Sequence, residues 1–227
     1  MFSLGRRLSL CAGLLRPQAA LADIGTDHAY LPVWLARQGR ISRAVAADVR
    51  PGPLKYARRN IERYGVGEIV SARLSDGLSA IRPEEADDIV MAGMGGLLIT
   101  RIIAQAPWLK NSTKHLILQP MTSVEDLRRF LSQEGFAVCR EQAVSEEGHI
   151  YTVMLCIYDS PGRVTGELYP YIGILKADTE DNRLYLLREM KRLQDRARGL
   201  QLEGNQVNAE RLLRIRGRIQ AMFPRQE

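Results

Sequence analysis

Up to about residue 158, short apolar runs alternate with segments of helical spacing. "ALADIG" is a buried-strand run ending in glycine, and "YLPVWLARQG" reads as a helix with Gly39 beyond its end. "AVAADV" is the next strand. "PGPLKYARRNIERYG" is a helix opened by prolines and closed by Gly65. "IVSARLSDG" and "DIVMAGMGG" give a third and a fourth strand, "LLITRIIAQAPWL" a helix, and "KHLILQP" a fifth strand. "TSVEDLRRFLSQEG" is expected to be a helix with a capping box, Ser123 paired with Asp126, and a stop at Gly135. This order predicts an α/β fold, a Rossmann-like, mostly parallel doubly wound sheet with right-handed crossovers. "FAVCREQAV" and "YTVMLCIY" follow without an intervening helix, which predicts an antiparallel hairpin at the sheet edge.

The pattern changes in "DSPGRVTGELYPYIG". Two domains are expected, residues 1–159 and residues 160–227. From about Thr179 the spacing is helical. Leu212, Ile215, Ile219 and Met222 step as an a/d seam, with Leu184, Leu187, Leu193, Ala197 and Leu200 facing them across a turn at Glu203 to Asn205. The second domain is therefore read as an antiparallel two-helix coiled coil, docked on the first domain or on a partner.

The first residues, "MFSLGRRLSLCAGLLRPQAALA", have the look of a secretory leader, but Arg16 and Pro17 interrupt the apolar run. Leu4, Leu8, Cys11 and Leu15 instead mark one face of a short helix. No run is long and apolar enough to span a bilayer, so no membrane partner is expected. Apolar content of 45% supports a packed core. Cys11, Cys139 and Cys156 have no zinc-finger spacing, and three histidines offer no metal cluster. Buried thiols in a reducing cytoplasm, and no metal, are the expectation.

The net charge of +6 favours an anionic partner. Residues 160–227 carry 13 Lys+Arg against 9 Asp+Glu, a surplus of four. Those arginines form either a solvated helix face or a phosphate-gripping arm. Arg6, Arg7 and Arg16, then Lys55, Arg58, Arg59 and Arg63, give the early chain a basic bias as well.

Four signals fall at the ends of successive strands, where open α/β sheets bind ligands. Asp23 and Gly25 follow the first. Asp48 and Val49 end the second, near the spacing at which a βαβ unit sets an acid on ribose hydroxyls. "SDG", with Asp76 and Gly77, follows the third, where an acid can accept from an adenine amino group. "AGMGG", with Gly93, Met94 and Gly95, follows the fourth and brings backbone close to a ligand. Neither a phosphate loop nor a dinucleotide fingerprint is present. Acids for ribose and adenine without a pyrophosphate cradle suit an adenosine ligand without phosphates. S-adenosyl-L-methionine fits, because its sulfonium is a cation that carboxylates welcome.

With "DIGTDHAYLP", "DVRPGPL", "SDGL", "AGMGG", "LILQP" and a C-terminal helical hairpin, the chain resembles the bacterial TrmK family nearly end to end. That family has the class I methyltransferase fold and methylates N1 of adenine 22 in tRNA. The resemblance implies S-adenosyl-L-methionine over the first four strands, with Asp23, Gly25, Asp48, Asp76 and Gly93 around it. It implies Asp27 and His28 facing the methyl group and the incoming base, Tyr30 nearby, and tRNA as substrate, helped by the coiled coil. A cytoplasmic monomer is expected.

Asp27 is expected to stabilise the cationic product base, or only to cap the helix near Tyr30, or only to bind the cofactor. His28 either positions a partner or satisfies backbone groups. Tyr30 either supports the base or packs as an ordinary aromatic. Gln119 and Pro120 are expected to shape the wall of the base pocket. The Asn/Asp-Pro-Pro-Tyr/Phe motif of amino-methyltransferases is absent, and "AGMG" stands in its place, which suits a ring-nitrogen target. The alternatives are methylation of another RNA or a small molecule, a non-catalytic RNA-binding module, and a hairpin that serves as a protein interface.

Overall fold

A computed structural model describes residues 2–160 and 165–223. Seven strands form one sheet: β1 Ala19–Ile24, β2 Ile41–Asp48, β3 Val70–Leu74, β4 Asp88–Gly95, β5 His115–Thr122, β6 Phe136–Glu146 and β7 His149–Tyr158. Their spatial order is β3-β2-β1-β4-β5-β7-β6. The first five run parallel, while β7 is antiparallel to both β5 and β6. Helix α1 Arg6–Leu14 precedes β1, and the crossover helices are α2 Tyr30–Arg37, α3 Pro51–Arg63, α4 Gly96–Ala104 and α5 Val124–Gln133. Every residue of β1 is buried, as befits a central parallel strand covered on both faces. The order reverses direction between β1 and β4, which opens a crevice at their C-terminal ends.

The leader-like segment folds into α1 and β1, with Cys11 and Leu15 in the core. Two expectations are corrected at this level. Ser123 does start α5, but it takes a left-handed conformation (φ 51°) and its hydroxyl makes no capping bond. The Ser123–Asp126 box therefore does not form. Cys11 and Cys156 are buried, whereas Cys139 is exposed on the edge strand β6. Burial pushes the Cys11 thiol up to about 12, so it stays protonated at physiological pH.

After a short helix, α6 Tyr169–Ile172, two long helices pair: α7 Glu180–Leu202 and α8 Gln206–Gln220. The three-residue connection makes them antiparallel. On α8 the seam holds Leu212, Ile215 and Ile219, with Met222 half-buried beyond the helix. On α7 the inward face is Leu186, Met190, Leu193 and Ala197, a 4-3-4 step. Leu184 and Leu187 are exposed, a correction to the expected face. The run "LYLL" offers apolar residues on several sides, and Tyr185 and Leu186 take the two inward positions. The hairpin docks on β6 and α5. Asn182 Oδ1 accepts from the Ala143 amide at 2.8 Å. Tyr185 Oη stands 3.1 Å from Arg128 Nη2. The boundary at residues 159/160 adjoins residues 161–164, which lie outside the described residues. Among the described residues no helix is long and apolar enough to cross a membrane, and no group of potential ligands could hold a metal ion.

Candidate active site

The crevice between β1 and β4 opens into a cavity of about 780 Å³, and the ends of β1 to β4 all line it. Asp23, at the tip of β1, is only 6% exposed. Its Oδ2 accepts from Thr26 Oγ1 at 2.5 Å. Burial pushes its carboxyl up to about 6; Thr26 opposes that shift and the Asp48 charge adds to it. Asp48, buried at the tip of β2, accepts from the Arg50 amide at 2.8 Å, and Arg50 Nε stands 3.8 Å away. Two buried acids thus face one cavity, and among the described residues Asp23 has no ion-pair partner. A cationic ligand would relieve that arrangement.

Gly25 (φ 71°) follows β1, and its amide and that of Thr26 both donate to Ala47 O, at 2.8 and 3.0 Å. The positive φ is what favours glycine here; a Cβ would meet only the movable end of the Met94 side chain. The register between β4 and β5 shifts at Gly93 (φ 75°). Its amide donates to the side chain of Gln119, at 3.0 Å, instead of a ladder partner. Gln119 is fully buried and also accepts from Arg7 Nη1 at 2.7 Å. Gln119 therefore holds the Gly93 bulge and is not itself a pocket wall, which corrects that expectation. Val49, Asp76, Gly77, Met94 and Gly95 also line the cavity. Asp76 is exposed, with Arg101 3.8 Å away.

The loop from Gly25 to Ala29 is strained. Asp27 (φ 52°) and Ala29 (φ 56°) both occupy the left-handed region. Such conformations cost on the order of 1–2 kcal/mol per non-glycine residue and cluster at functional sites. Ala29, not Asp27, is the first cap residue of α2, and no side chain caps it. Asp27 is therefore no helix cap, which removes that reading. Its side chain is 63% exposed at the cavity rim, and Oδ2 lies 3.5 Å from His28 Nε2.

His28 also does more than satisfy backbone. Its ring lies nearly parallel to Tyr56 (centroids 4.9 Å, 11°) and to Tyr30 (5.5 Å, 13°). Phe2 meets Tyr30 edge-on at 5.4 Å. Asn60 Nδ2, on α3, pins the loop by donating to His28 O at 2.9 Å. Sequence reasoning missed Tyr56 and Asn60, and took Arg7 only as part of a basic bias. Nothing in their local pattern marks them, because each reaches the site across the tertiary fold. The Gln119 role did carry a signal, a lone amide in an otherwise apolar buried strand.

A 3-2-1-4-5-7-6 sheet with acids at the tips of β1 and β2 and a glycine bulge on β4 defines a class I methyltransferase domain. The "Methyltransferase domain" family profile matches residues 4–154. The chain is 37% identical over 152 residues to the tRNA (adenine(22)-N(1))-methyltransferase of Bacillus subtilis, covering 67% of this chain and 64% of that protein. The structure of Bacillus subtilis TrmK, an m1A22 tRNA methyltransferase, superposes with a TM-score of 0.82 at 28% identity, covering 98% of both chains. The structure of Streptococcus pneumoniae Sp1610 in complex with S-adenosyl-L-methionine superposes at 0.80 with 30% identity, covering 96% of this chain and 99% of that one. The chain belongs to the TrmK family of tRNA methyltransferases. Its sequence alignment nonetheless spans just under two thirds of the Bacillus subtilis relative.

Proposed function

We propose that the protein transfers a methyl group from S-adenosyl-L-methionine to N1 of an adenine in tRNA, at position 22 as in the Bacillus subtilis relative. The observation that carries this reading is Asp27, strained and exposed at the rim of a cavity whose depth holds the buried Asp23 and Asp48. Residues 1–159 serve as the catalytic domain and residues 160–227 as the helical hairpin. The protein acts as a cytoplasmic monomer, where its tRNA substrate resides.

The residues present fit the cofactor. Asp48 accepts from the ribose diol, and Asp76 accepts from the adenine amine. Val49 offers exposed apolar surface to the purine, with Gly77 beside it. Asp23 faces the cationic end, while Gly25, Gly93, Met94 and Gly95 allow close backbone approach. When bound, S-adenosyl-L-methionine supplies an electrophilic methyl carbon on a sulfonium centre. Adenine N1 has its own lone pair, so the protein needs no nucleophile. The Asp27 carboxylate stabilises the positive charge that develops on the base and accepts a hydrogen bond from the exocyclic amine. It can then take that amine's proton as the charge resolves. His28 orients Asp27 across their 3.5 Å contact. Tyr30 supports the base with its exposed ring.

Asp23 makes the cofactor's affinity pH-dependent. Its carboxyl is raised to about 6 in the free protein. A cationic ligand binds the ionised form, so affinity falls as pH drops below about 6, by up to about tenfold per unit. The same shift has a stability consequence. A raised carboxyl binds more protons folded than unfolded, so stability declines as pH rises from about 4 to 6. Asp23→Asn is expected to stabilise the free protein at pH 7.5, by on the order of 1–2 kcal/mol, while weakening cofactor binding at least tenfold. Calorimetry with S-adenosyl-L-methionine, which carries the sulfonium charge, and thermal unfolding read the two effects separately; a variant that binds it as wild type contradicts the Asp23 role.

The target base is tested with transcripts. Replacing adenine 22 by guanine in an otherwise unmodified tRNA is expected to abolish methylation. Undiminished transfer to that transcript would contradict the assigned position.

A further inference from the structure

Several basic residues of the chain are held in ion pairs. Arg6 pairs with Asp181, Arg7 with Glu146, and Arg16 with Asp88. On the hairpin, Arg192 and Arg196 converge on Glu125, and Arg211 and Arg218 on Glu167. These charges serve the fold's own contacts. The cations of α3 are not so held; exposed Lys191, Arg198 and Arg214 of the hairpin also lack an ion pair among the described residues, but α3 alone of these adjoins the active-site loop. Lys55, Arg58 and Arg59 are exposed and make no ion pair among the described residues. Arg63 is exposed too, and its guanidinium lies 5.6 Å over the Tyr64 ring.

Helix geometry shows which of them share a face. Leu54, Ala57 and Ile61 are the buried side of α3. Lys55, Arg59 and Arg63 recur every four residues on the opposite side, one ridge along the outer surface. Glu62 is the one acid on the helix. Tyr56 sits beside that ridge and turns toward the active-site loop, where its ring stacks on His28 and remains 53% exposed. Asn60, one turn on, is bonded to His28 O on the same side. A row of cations thus runs directly into a set of near-parallel rings, Tyr56, His28 and Tyr30, that ends at Asp27.

That juxtaposition matches single-stranded nucleic acid: phosphates follow a cationic ridge while unstacked bases lie on aromatic rings. We propose that the outer face of α3 is the RNA-docking surface beside the active site. Lys55, Arg59 and Arg63 contact successive phosphates of the strand that carries the target. Tyr56 provides the stacking platform for a nucleotide next to the extruded adenine. The inference rests on the tRNA reading above and deepens it. It gives the target base a route out of its stack, because the neighbour it leaves is met by a ring.

Binding, measured apart from turnover, tests the proposal. Unmodified tRNA is titrated against the full chain at several salt concentrations, and each variant is first checked for wild-type affinity for S-adenosylhomocysteine. K55Q/R59Q/R63Q is expected to bind tRNA at least tenfold more weakly, with the slope of log K against log salt reduced by about 2–3, one phosphate per cation. Tyr56→Ala is expected to lose roughly tenfold, and Tyr56→Phe, which keeps the ring, to bind as wild type. A triple variant with unchanged affinity and slope overturns the ridge. A Tyr56→Ala protein that binds as wild type, or a Tyr56→Phe protein as weak as Tyr56→Ala, overturns the platform. If the wild type binds tRNA through this face yet methylates none, the docking surface stands and the enzymatic reading falls. If the wild type binds no tRNA at all, both fall.

Discussion

Asp27→Asn is expected to lower the rate of tRNA methylation by about 10²–10³-fold while leaving S-adenosylhomocysteine affinity within about threefold of wild type. The substitution keeps size and polarity and removes the charge. Asparagine also tolerates the left-handed backbone that Asp27 adopts (φ 52°), so the loop need not rearrange. The loss therefore reports the carboxylate's work on the developing cation and its proton. Asp27 accepts no capping bond from α2, so no helix stability is lost with it. Single-turnover rates at saturating tRNA, with cofactor affinity measured alongside, separate chemistry from binding. Turnover near wild type would remove Asp27 from the chemistry and leave Tyr30 and the bound geometry to account for the rate.

The second large effect lies away from the cavity. Arg128 on α5 and Glu141 on β6 are both fully buried, 2.6 Å apart. Arg128 also donates to Pro170 O and Tyr171 O, at 3.1 and 2.7 Å, and to Tyr185 of α7. Glu141 accepts further from Thr152 Oγ1 and the Ile174 amide. Burial opposes the guanidinium charge, but Glu141 and Tyr185 outweigh it and hold the group above its ordinary value. This cluster joins the sheet, α6 and α7. Glu141→Leu leaves a buried cation unpaired and is expected to cost about 3–5 kcal/mol of stability, with earlier proteolysis in residues 160–178. An R128M/E141L double variant, which removes both charges, is expected to recover much of that loss. Thermal unfolding and limited proteolysis check both. A single variant as stable as wild type would show that the hairpin's attachment does not depend on the pair.

Most of the sheet was legible because its strands are continuous apolar runs punctuated by glycine, and helices with caps or stops separate them. Gly39, Gly65 and Gly135 all take positive φ where the reading set a helix end. The acids and glycines of the cavity were legible for the same reason: their places follow from the strand ends. What failed was local detail that tertiary contacts decide. Ser123 could have capped α5, yet the turn after β5 holds it in a left-handed conformation. Leu184 and Leu187 fit a seam by spacing alone, but docking against β6 set the rotation of α7 and chose Tyr185 and Leu186. The arginines were least legible. Their number gave a sign, and only the fold shows that Arg6, Arg7 and Arg16 are occupied internally while the α3 ridge is not.

The central claim is methyl transfer to N1 of one tRNA adenine, and product analysis tests it most directly. Unmodified tRNA transcripts are incubated with the protein and labelled S-adenosyl-L-methionine, digested to nucleosides for mass spectrometry, and mapped by primer extension. The account predicts N1-methyladenosine as the one new nucleoside, with a single stop at adenine 22. Cofactor binding without any methylated nucleoside, or methylation of a different base or atom, would contradict it.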